Sequence, residues 1–259
     1  MNVPTMAEMM AQGKQPEVLF WVGCAGSFDD RAKKITKAFV KILNKANVEF
    51  AVLGTEESCT GDPAKRSGNE FLFQMQAMAN IEVLNAYEVK RIVTACPHCF
   101  NTIKNEYPEL GGNYEVVHHT QLLKELLDSG RMTIEGGQFK GKKITFHDPC
   151  YLGRANAVYE APRELIRKLD VELVEMKKCK VNGLCCGAGG AQMFKDAEKG
   201  TKEVNVLRTE GALEVKPEII ATGCPFCNTM MTDGIKNKEK EAEVEVLDIA
   251  EMIAAAEDL

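Results

Sequence analysis

Nowhere in the 259 residues does an apolar run approach the roughly 18–20 residues needed to cross a bilayer. The densest apolar stretch, Val18 to Val22, has the length of a buried strand. Basic runs are missing too: 32 Lys and Arg stand against 38 Asp and Glu, for a net charge of −6. That balance argues against nucleic acid or an anionic membrane surface as the main partner. The N-terminal stretch carries Glu8 and lacks the apolar core of a secretory signal, so no signal peptide is expected. The Gly187-Ala188-Gly189-Gly190 stretch lacks G-x-G-x-x-G spacing and a Walker lysine–hydroxyl pair, which removes the usual phosphate cradle. The expected setting is the cytoplasm, at the inner face of a membrane only where a partner holds the chain there.

What the chain has in excess is cysteine, ten in all. Disulfides are disfavoured in the cytoplasm, so metal binding or redox chemistry is the reading to test. A chain of this length can bury one large core or two of about 125 residues each. The order of elements favours two. Val18–Val22 reads as a strand ending at Gly23-Cys24, and Asp29-Asp30 caps a helix with Ile35, Phe39, Val40, Ile42 and Leu43 on one face. Val48–Leu53 is a second strand, and the loop from Gly54 to Gly68 carries Cys59. A helix from Asn69 to Tyr87 is expected to bury Phe71, Leu72, Met75, Met78, Ile81 and Leu84. Arg91–Ala95 is a strand running into Cys96-Pro97-His98-Cys99 at a helix start. Tyr114–Val117 and a helix from Thr120 close the first half, and His118-His119 read as loop or cap residues before it.

After a Gly136–Gly141 linker the order restarts. Strand 143–146 leads to Cys150, strand 171–174 to a loop with Cys185-Cys186, and strand 218–221 to Cys224-Pro225-Phe226-Cys227. A helix through Val204, Val206 and Leu207 lies between the last two, and strand 244–246 and helix 249–256 finish the chain. Cys24 and Cys150 are 126 positions apart, as are Cys59 and Cys185, while Cys96 and Cys99 precede Cys224 and Cys227 by 128. Such regular offsets mark two copies of one βα unit. The expected fold is therefore α/β, with two pseudo-repeat lobes, each a small parallel sheet flanked by helices. The cysteines fall at the C-terminal strand ends, where ligands gather in open α/β sheets. The expected division is an N-terminal arm over 1–16, a first repeat over 17–135 and a second over 142–259.

The two copies differ in donor count. The second offers five thiols, Cys150, Cys185, Cys186, Cys224 and Cys227; the first offers four, Cys24, Cys59, Cys96 and Cys99, because Thr60 stands in the place of Cys186. A mononuclear zinc takes four thiolates, so a fifth favours a multi-iron centre in the second copy. The Cys-Pro-x-Cys turns sit at helix starts, where backbone N–H groups stabilise anionic sulfur and proline loses nothing. Cys179 has no counterpart in the first copy. His147 lies three residues before Cys150 and can donate a hydrogen bond or proton to sulfur, or simply end a strand. His98 sits inside its Cys-x-x-Cys, but Phe226 replaces it in the second copy. Arg154 either offsets cluster charge or is solvated.

The spacing Cys, 34 residues, Cys-Cys, 37 residues beginning with Gly187, Cys-x-x-Cys resembles the cysteine-rich CCG domain of heterodisulfide reductase subunits and related iron–sulfur oxidoreductases. Glu57-Ser58-Cys59-Thr60-Gly61-Asp62-Pro63, Thr94-Ala95-Cys96-Pro97-His98-Cys99 and His147-Asp148-Pro149-Cys150-Tyr151-Leu152-Gly153-Arg154 are similar to the C-terminal half of membrane-bound iron–sulfur reductases fed by electron-transfer flavoprotein. The resemblance implies a noncubane [4Fe–4S] cluster on Cys150, Cys185, Cys186, Cys224 and Cys227. With Thr60 breaking the first motif, it implies a second [4Fe–4S] cluster or zinc on Cys24, Cys59, Cys96 and Cys99. The implied function is electron transfer between a flavoprotein or ferredoxin-type donor and a quinone- or thiol-linked acceptor, in company with other redox subunits. Cys186 and His147 are the candidate reactive residues. Two other functions are weighed beside it: a thiol–disulfide reductase acting at the second site, and a zinc-stabilised interaction scaffold, which fits the first copy but gives no reason for a fifth cysteine in the second.

Overall fold

The computed structural model describes residues 2–196 and 199–259. In chain order its elements are α1 (Met6–Ala11), β1 (Val18–Trp21), α2 (Gly23–Phe28), α3 (Ala32–Lys45), β2 (Phe50–Ala51), α4 (Asp62–Arg66), α5 (Glu70–Ala86), β3 (Arg91–Thr94), α6 (Pro97–Asn105), β4 (Glu115–His118) and α7 (His119–Asp128). The second half contributes β5 (Lys143–Phe146), α8 (Glu160–Arg167), β6 (Glu172–Leu173), α9 (Val204–Leu213), β7 (Ile219–Thr222), α10 (Pro225–Asn237), β8 (Glu245–Asp248) and α11 (Ile249–Ala256).

The strands form two four-stranded sheets, ordered β2-β1-β3-β4 and β6-β5-β7-β8. Every pairing is parallel, and the second order repeats the first strand for strand. Leu19, Phe20 and Trp21 face Ile92, Val93 and Thr94 as Ile144, Thr145 and Phe146 face Ile219, Ile220 and Ala221. The central strands β1 and β7 are buried along their length and β3 and β5 at all but their first residue, which suits sheets covered on both faces. The predicted α/β fold of two repeated lobes is the observed one.

The lobes share a core. Phe20, Phe39 and Leu43 from the first half pack in one cluster with Phe146, Leu165, Ile249 and Ile253 from the second. At its edge the Arg31 guanidinium forks onto Glu251 at 2.6 and 2.8 Å and reaches the Val246 carbonyl at 2.9 Å. The face predicted for α3 is the buried one: Ile35, Phe39, Val40, Ile42 and Leu43 are all inside, and Asp29 accepts the Ala32 N–H at 2.7 Å. The glycine-rich stretch before β5 is less loose than a linker, because a turn over Gly137–Phe139 buries Phe139 against the shared core. The N-terminal segment is likewise ordered. Thr5 and Glu8 form a capping box, and Met6 and Met9 are buried against the first lobe.

α5 buries Ile81 and Leu84 as the sequence suggests, but ahead of them it turns a different face inward. On α5 the buried residues are Phe73, Ala77, Asn80, Ile81 and Leu84, while Phe71, Met75 and Met78 are more than half exposed. Both stripes have helical spacing, so periodicity cannot choose between them. Asn80 decides it, donating to the Cys59 carbonyl at 2.9 Å and to the Tyr107 hydroxyl at 3.0 Å. On α9, Val204 and Leu207 are exposed, whereas Asn205, Arg208 and Thr209 join Val206 inside.

Leu84→Ala should therefore cost about 2–5 kcal/mol by denaturant unfolding, and Met78→Gln no more than about 0.5 kcal/mol. Equal costs would mean the face of α5 is assigned wrongly.

Candidate metal centre

Each cysteine group is assembled from three loops at the C-terminal ends of strands. In the first lobe Cys24 lies in the first turn of α2 after β1, Cys59 in the loop after β2, and Cys96 and Cys99 at the β3–α6 junction. In the second, Cys150 follows β5, Cys185 and Cys186 occupy the loop after β6, and Cys224 and Cys227 open α10 after β7. Cys96 and Cys224 are the residues that cap α6 and α10, each with proline in the first turn. The capping position turns backbone donors toward sulfur, and the Cys227 N–H meets Cys224 Sγ at 3.5 Å. Gly187, with φ +97°, lets its N–H reach Cys185 Sγ at 3.3 Å. Gly23 has φ +78°, and a Cβ there would lie 3.3 Å from Cys99 Sγ, so only glycine lets β1 turn into α2 beside the sulfurs.

The thiols interact as two sets. In the first lobe the Cys24 thiol donates to Cys59, pulling Cys59 down to about 6 and pushing Cys24 up. Cys99 does the same for Cys96, which falls to about 7, and Cys99 also feels the charges of Cys24 and Cys59. In the second lobe Cys185, Cys186, Cys224 and Cys227 pack in one cluster, and Cys150 acts on it through Cys185. Thiols of Cys150 and Cys186 donate to Cys185, which is held far below the usual thiol range, while Cys227 bridges Cys186 and Cys224. Thiolates are the form that ligates metal. Thr60 is buried in the first lobe without adding a sulfur, and the Tyr107 hydroxyl donates to its carbonyl at 3.2 Å.

Buried charges brace these loops, and here the sequence is less informative. The Glu57 carboxylate accepts the Val22 and Gly23 N–H groups at 2.9 and 2.6 Å, tying the Cys59 loop to the Cys24 turn. Burial outweighs those bonds and raises Glu57 to about 7. In the second lobe Asp148, two residues before Cys150, accepts both Arg163 Nη groups at 2.7 and 2.9 Å and the Lys180 N–H at 2.7 Å. Arg163 is fully buried and also forks onto Glu175. An arginine on a helix ordinarily reads as solvated surface, so no sequence signal marked Arg163 or Arg208.

His147 is fully buried, and one of its ring nitrogens lies within 4.8 Å of Cys186 and Cys227 Sγ. Burial and the Arg208 charge depress it to about 3, so it is a neutral imidazole. His98 stands between the lobes, its ring 4.5 Å from Tyr151 and 5.5 Å from Phe226. Burial opposes its charge, but Asp62 at 2.9 Å and the sulfurs of Cys96 and Cys224 raise it to about 9. The helix start predicted at Thr120 comes one step earlier. His118 caps α7, and His119 meets Asp248 of the other lobe at 3.1 Å. Arg154 is exposed and donates to the Gly183 carbonyl. Cys179 is half-buried, and burial followed by Glu175 pushes its thiol up.

The profile of the cysteine-rich CCG domain matches this chain twice, over 18–104 and 144–232, and the matches take in both cysteine sets. The chain belongs to the CCG cysteine-rich domain family. It is 48% identical over 98% of its length to the probable iron-sulfur-binding oxidoreductase FadF of Bacillus subtilis, covering 36% of that protein. It is 45% identical over 93% of its length to the EtfAB:quinone oxidoreductase of Syntrophomonas wolfei, covering 34% of it. With a component of the dihydromethanophenazine:CoB–CoM heterodisulfide reductase of Methanosarcina barkeri it shares 33% identity over 93% of its length, covering 59% of that component. The chain thus spans about a third of the first two relatives. Among solved structures, glutamate racemase from Aquifex pyrophilus overlays on 92% of this chain and 80% of its own at 17% identity and a TM-score of 0.38, too loose a likeness to carry function.

Removing the cation from Asp148 leaves a buried charge unpaired. Arg163→Met should cost about 3–5 kcal/mol in denaturant unfolding and expose Cys150 to thiol reagents; a loss under about 1 kcal/mol would deny the ion pair its bracing role. Gly23→Ala forces an L-residue into the left-handed region at a cost of about 1–2 kcal/mol. It should also reduce metal uptake in the first lobe, as read by metal content per chain.

Proposed function

We propose that the chain is an iron–sulfur oxidoreductase unit in which Cys150, Cys185, Cys186, Cys224 and Cys227 hold a noncubane [4Fe–4S] cluster. Cys24, Cys59, Cys96 and Cys99 hold a second centre, either a [4Fe–4S] cluster or a tetrathiolate zinc. The observation that carries this reading is the convergence of five cysteines from three strand ends of the second lobe, with Cys185, Cys186, Cys224 and Cys227 packed in one cluster; five sulfurs are one more than a tetrahedral ion accepts. The donor chemistry fits: amide N–H groups are aimed at Cys185 and Cys224, and Arg208, held on His147 beside Cys186 and Cys227, places a buried positive charge nearby. The absence of a fifth sulfur beside Thr60 supports a different occupant in the first lobe.

When bound, an iron–sulfur cluster supplies a one-electron store whose potential follows charge, hydrogen bonding and exposure. The residues divide the remaining work. The sulfurs bind, Gly187 and Cys227 spread the thiolate charge through their N–H groups, and Asp148 with Arg163 keeps the Cys150 turn in place. Cys186, the sulfur that the first lobe lacks, and His147 beside it are the proposed reactive residues. His98, Tyr151 and Phe226 pack ring on ring between the lobes.

Electrons pass between a flavoprotein or ferredoxin-type donor and a quinone- or thiol-linked acceptor. The names of the EtfAB:quinone oxidoreductase and heterodisulfide reductase relatives support that range. Other redox subunits are the partners. Among the described residues no helix is long and apolar enough to cross a membrane, and a probable membrane-anchored ferredoxin of Chromohalobacter salexigens is 42% identical over 96% of this chain. The name of that relative supports work at a membrane. We place the chain at the cytoplasmic face, with a partner providing attachment.

Anaerobic purification should give a brown protein with about four irons and matching sulfide for each [4Fe–4S] centre. Cys186→Ser should fold normally, lose the iron of the second lobe and retain the metal of the first. A colourless wild type holding only zinc, without a paramagnetic signal after reduction, would overturn the assignment.

A further inference from the structure

Arg208 is almost completely buried in α9, which is an expensive place for a guanidinium. Its Nη1–H donates to the Lys178 carbonyl at 2.7 Å and its Nε–H to His147 Nδ1 at 2.9 Å, while Nη2 has no partner. A guanidinium has donors only and does not surrender its protons. Nδ1 of His147 must therefore offer a lone pair to Arg208, which leaves the imidazole proton on Nε2. That nitrogen is buried without a hydrogen-bond partner. A ring nitrogen of His147 lies within 4.8 Å of Cys186 and Cys227 Sγ, and with Nδ1 taken by Arg208, Nε2 is the one left for sulfur. A metal bond at Nε2 would require the lone pair there, moving the proton to Nδ1 and setting it against the Arg208 Nε–H.

The first lobe offers an independent parallel. Trp21 lies three residues before Cys24, as His147 lies three before Cys150. It too is fully buried, and its Nε1–H has no partner. An indole nitrogen donates and cannot ligate. Both lobes thus present a buried ring N–H at the same place, and only in the second is the ring chemically ambivalent.

We propose that Arg208 is a positioning residue that fixes His147 as the Nε2–H tautomer, making it a hydrogen-bond donor to sulfur in the second centre and excluding it as a metal ligand. The bond to a cluster sulfur rests on the centre proposed above, whereas the tautomer is set in the metal-free chain.

The two parts separate experimentally. In metal-free protein labelled with 15N-histidine, long-range proton–nitrogen correlation should show His147 protonated at Nε2 and unprotonated at Nδ1. Arg208→Met should mix the two tautomers, and Arg208→Lys, which keeps a donor, should restore the single form. A wild-type His147 protonated at Nδ1, or a folded Arg208→Met with an unchanged single tautomer, would overturn the positioning role. Where Arg208→Met fails to fold, the wild-type spectrum still decides the tautomer.

The second arm uses the iron-loaded protein and His147→Phe, which removes the N–H and keeps a ring. Iron and sulfide per chain should be unchanged, and the midpoint potential should move negative, because a hydrogen bond to sulfur favours the reduced, more negative state. Loss of iron would make His147 a ligand and overturn the donor assignment. A wild type with the Nε2–H tautomer but no iron would sink the centre and the bond to it, leaving the Arg208–His147 pairing in place.

Discussion

Sulfur gathered in a buried place carries negative charge that has to be compensated. In the second lobe five cysteines converge from three strand ends, and the segments that carry them are fastened by amide donors and buried arginines. Amide N–H groups from Gly187 and Cys227 point at sulfur. Arg163 on α8 and Arg208 on α9 are fully inside, where arginine is seldom found. Neither is a surface ion pair with little effect: Arg163 holds Asp148 from both of its Nη groups, and Arg208 holds a neutral histidine.

The duplicated architecture makes this compensation comparable between lobes. Sheet order and register repeat, yet the bracing residues do not. Where the second lobe fastens its first cysteine turn with Asp148 and Arg163, the first lobe uses the Glu57 carboxylate on the Val22 and Gly23 N–H groups. Where the second lobe has Cys186, the first has Thr60, under the hydroxyl of Tyr107. The shared fold keeps the two loop sets at equivalent strand ends, and the side chains give them different donor numbers and different charge.

The lobes are not independent beads. A single apolar cluster runs through both, His119 of one meets Asp248 of the other, and His98 packs on Tyr151 and Phe226 across the seam. Residues that look like incidental members of motifs therefore lie at the junction. His98, inside its Cys-x-x-Cys, touches the opposite lobe through the very residue, Phe226, that replaces it there.

Much of this is legible in the chain itself. The offsets of 126 and 128 between cysteines establish the duplication, and strands followed by Cys-Pro at helix starts place the sulfurs at one sheet edge. Local chemistry suffices for those features, because a strand, a turn and a capped helix are specified by neighbouring residues. The inward face of α5 is not legible, since Phe71, Met75 and Met78 have the same spacing as Phe73, Ala77 and Asn80. Only Asn80 meeting the Cys59 carbonyl and Tyr107 chooses between them, a contact between segments distant in sequence. The same holds for Arg208, which pattern alone places on a solvated helix and the tertiary structure places against His147, sixty-one residues away. The sequence determined the repeat, the donors and their number; the packing of one segment on another decided which charges are buried and which atom of His147 is left for sulfur.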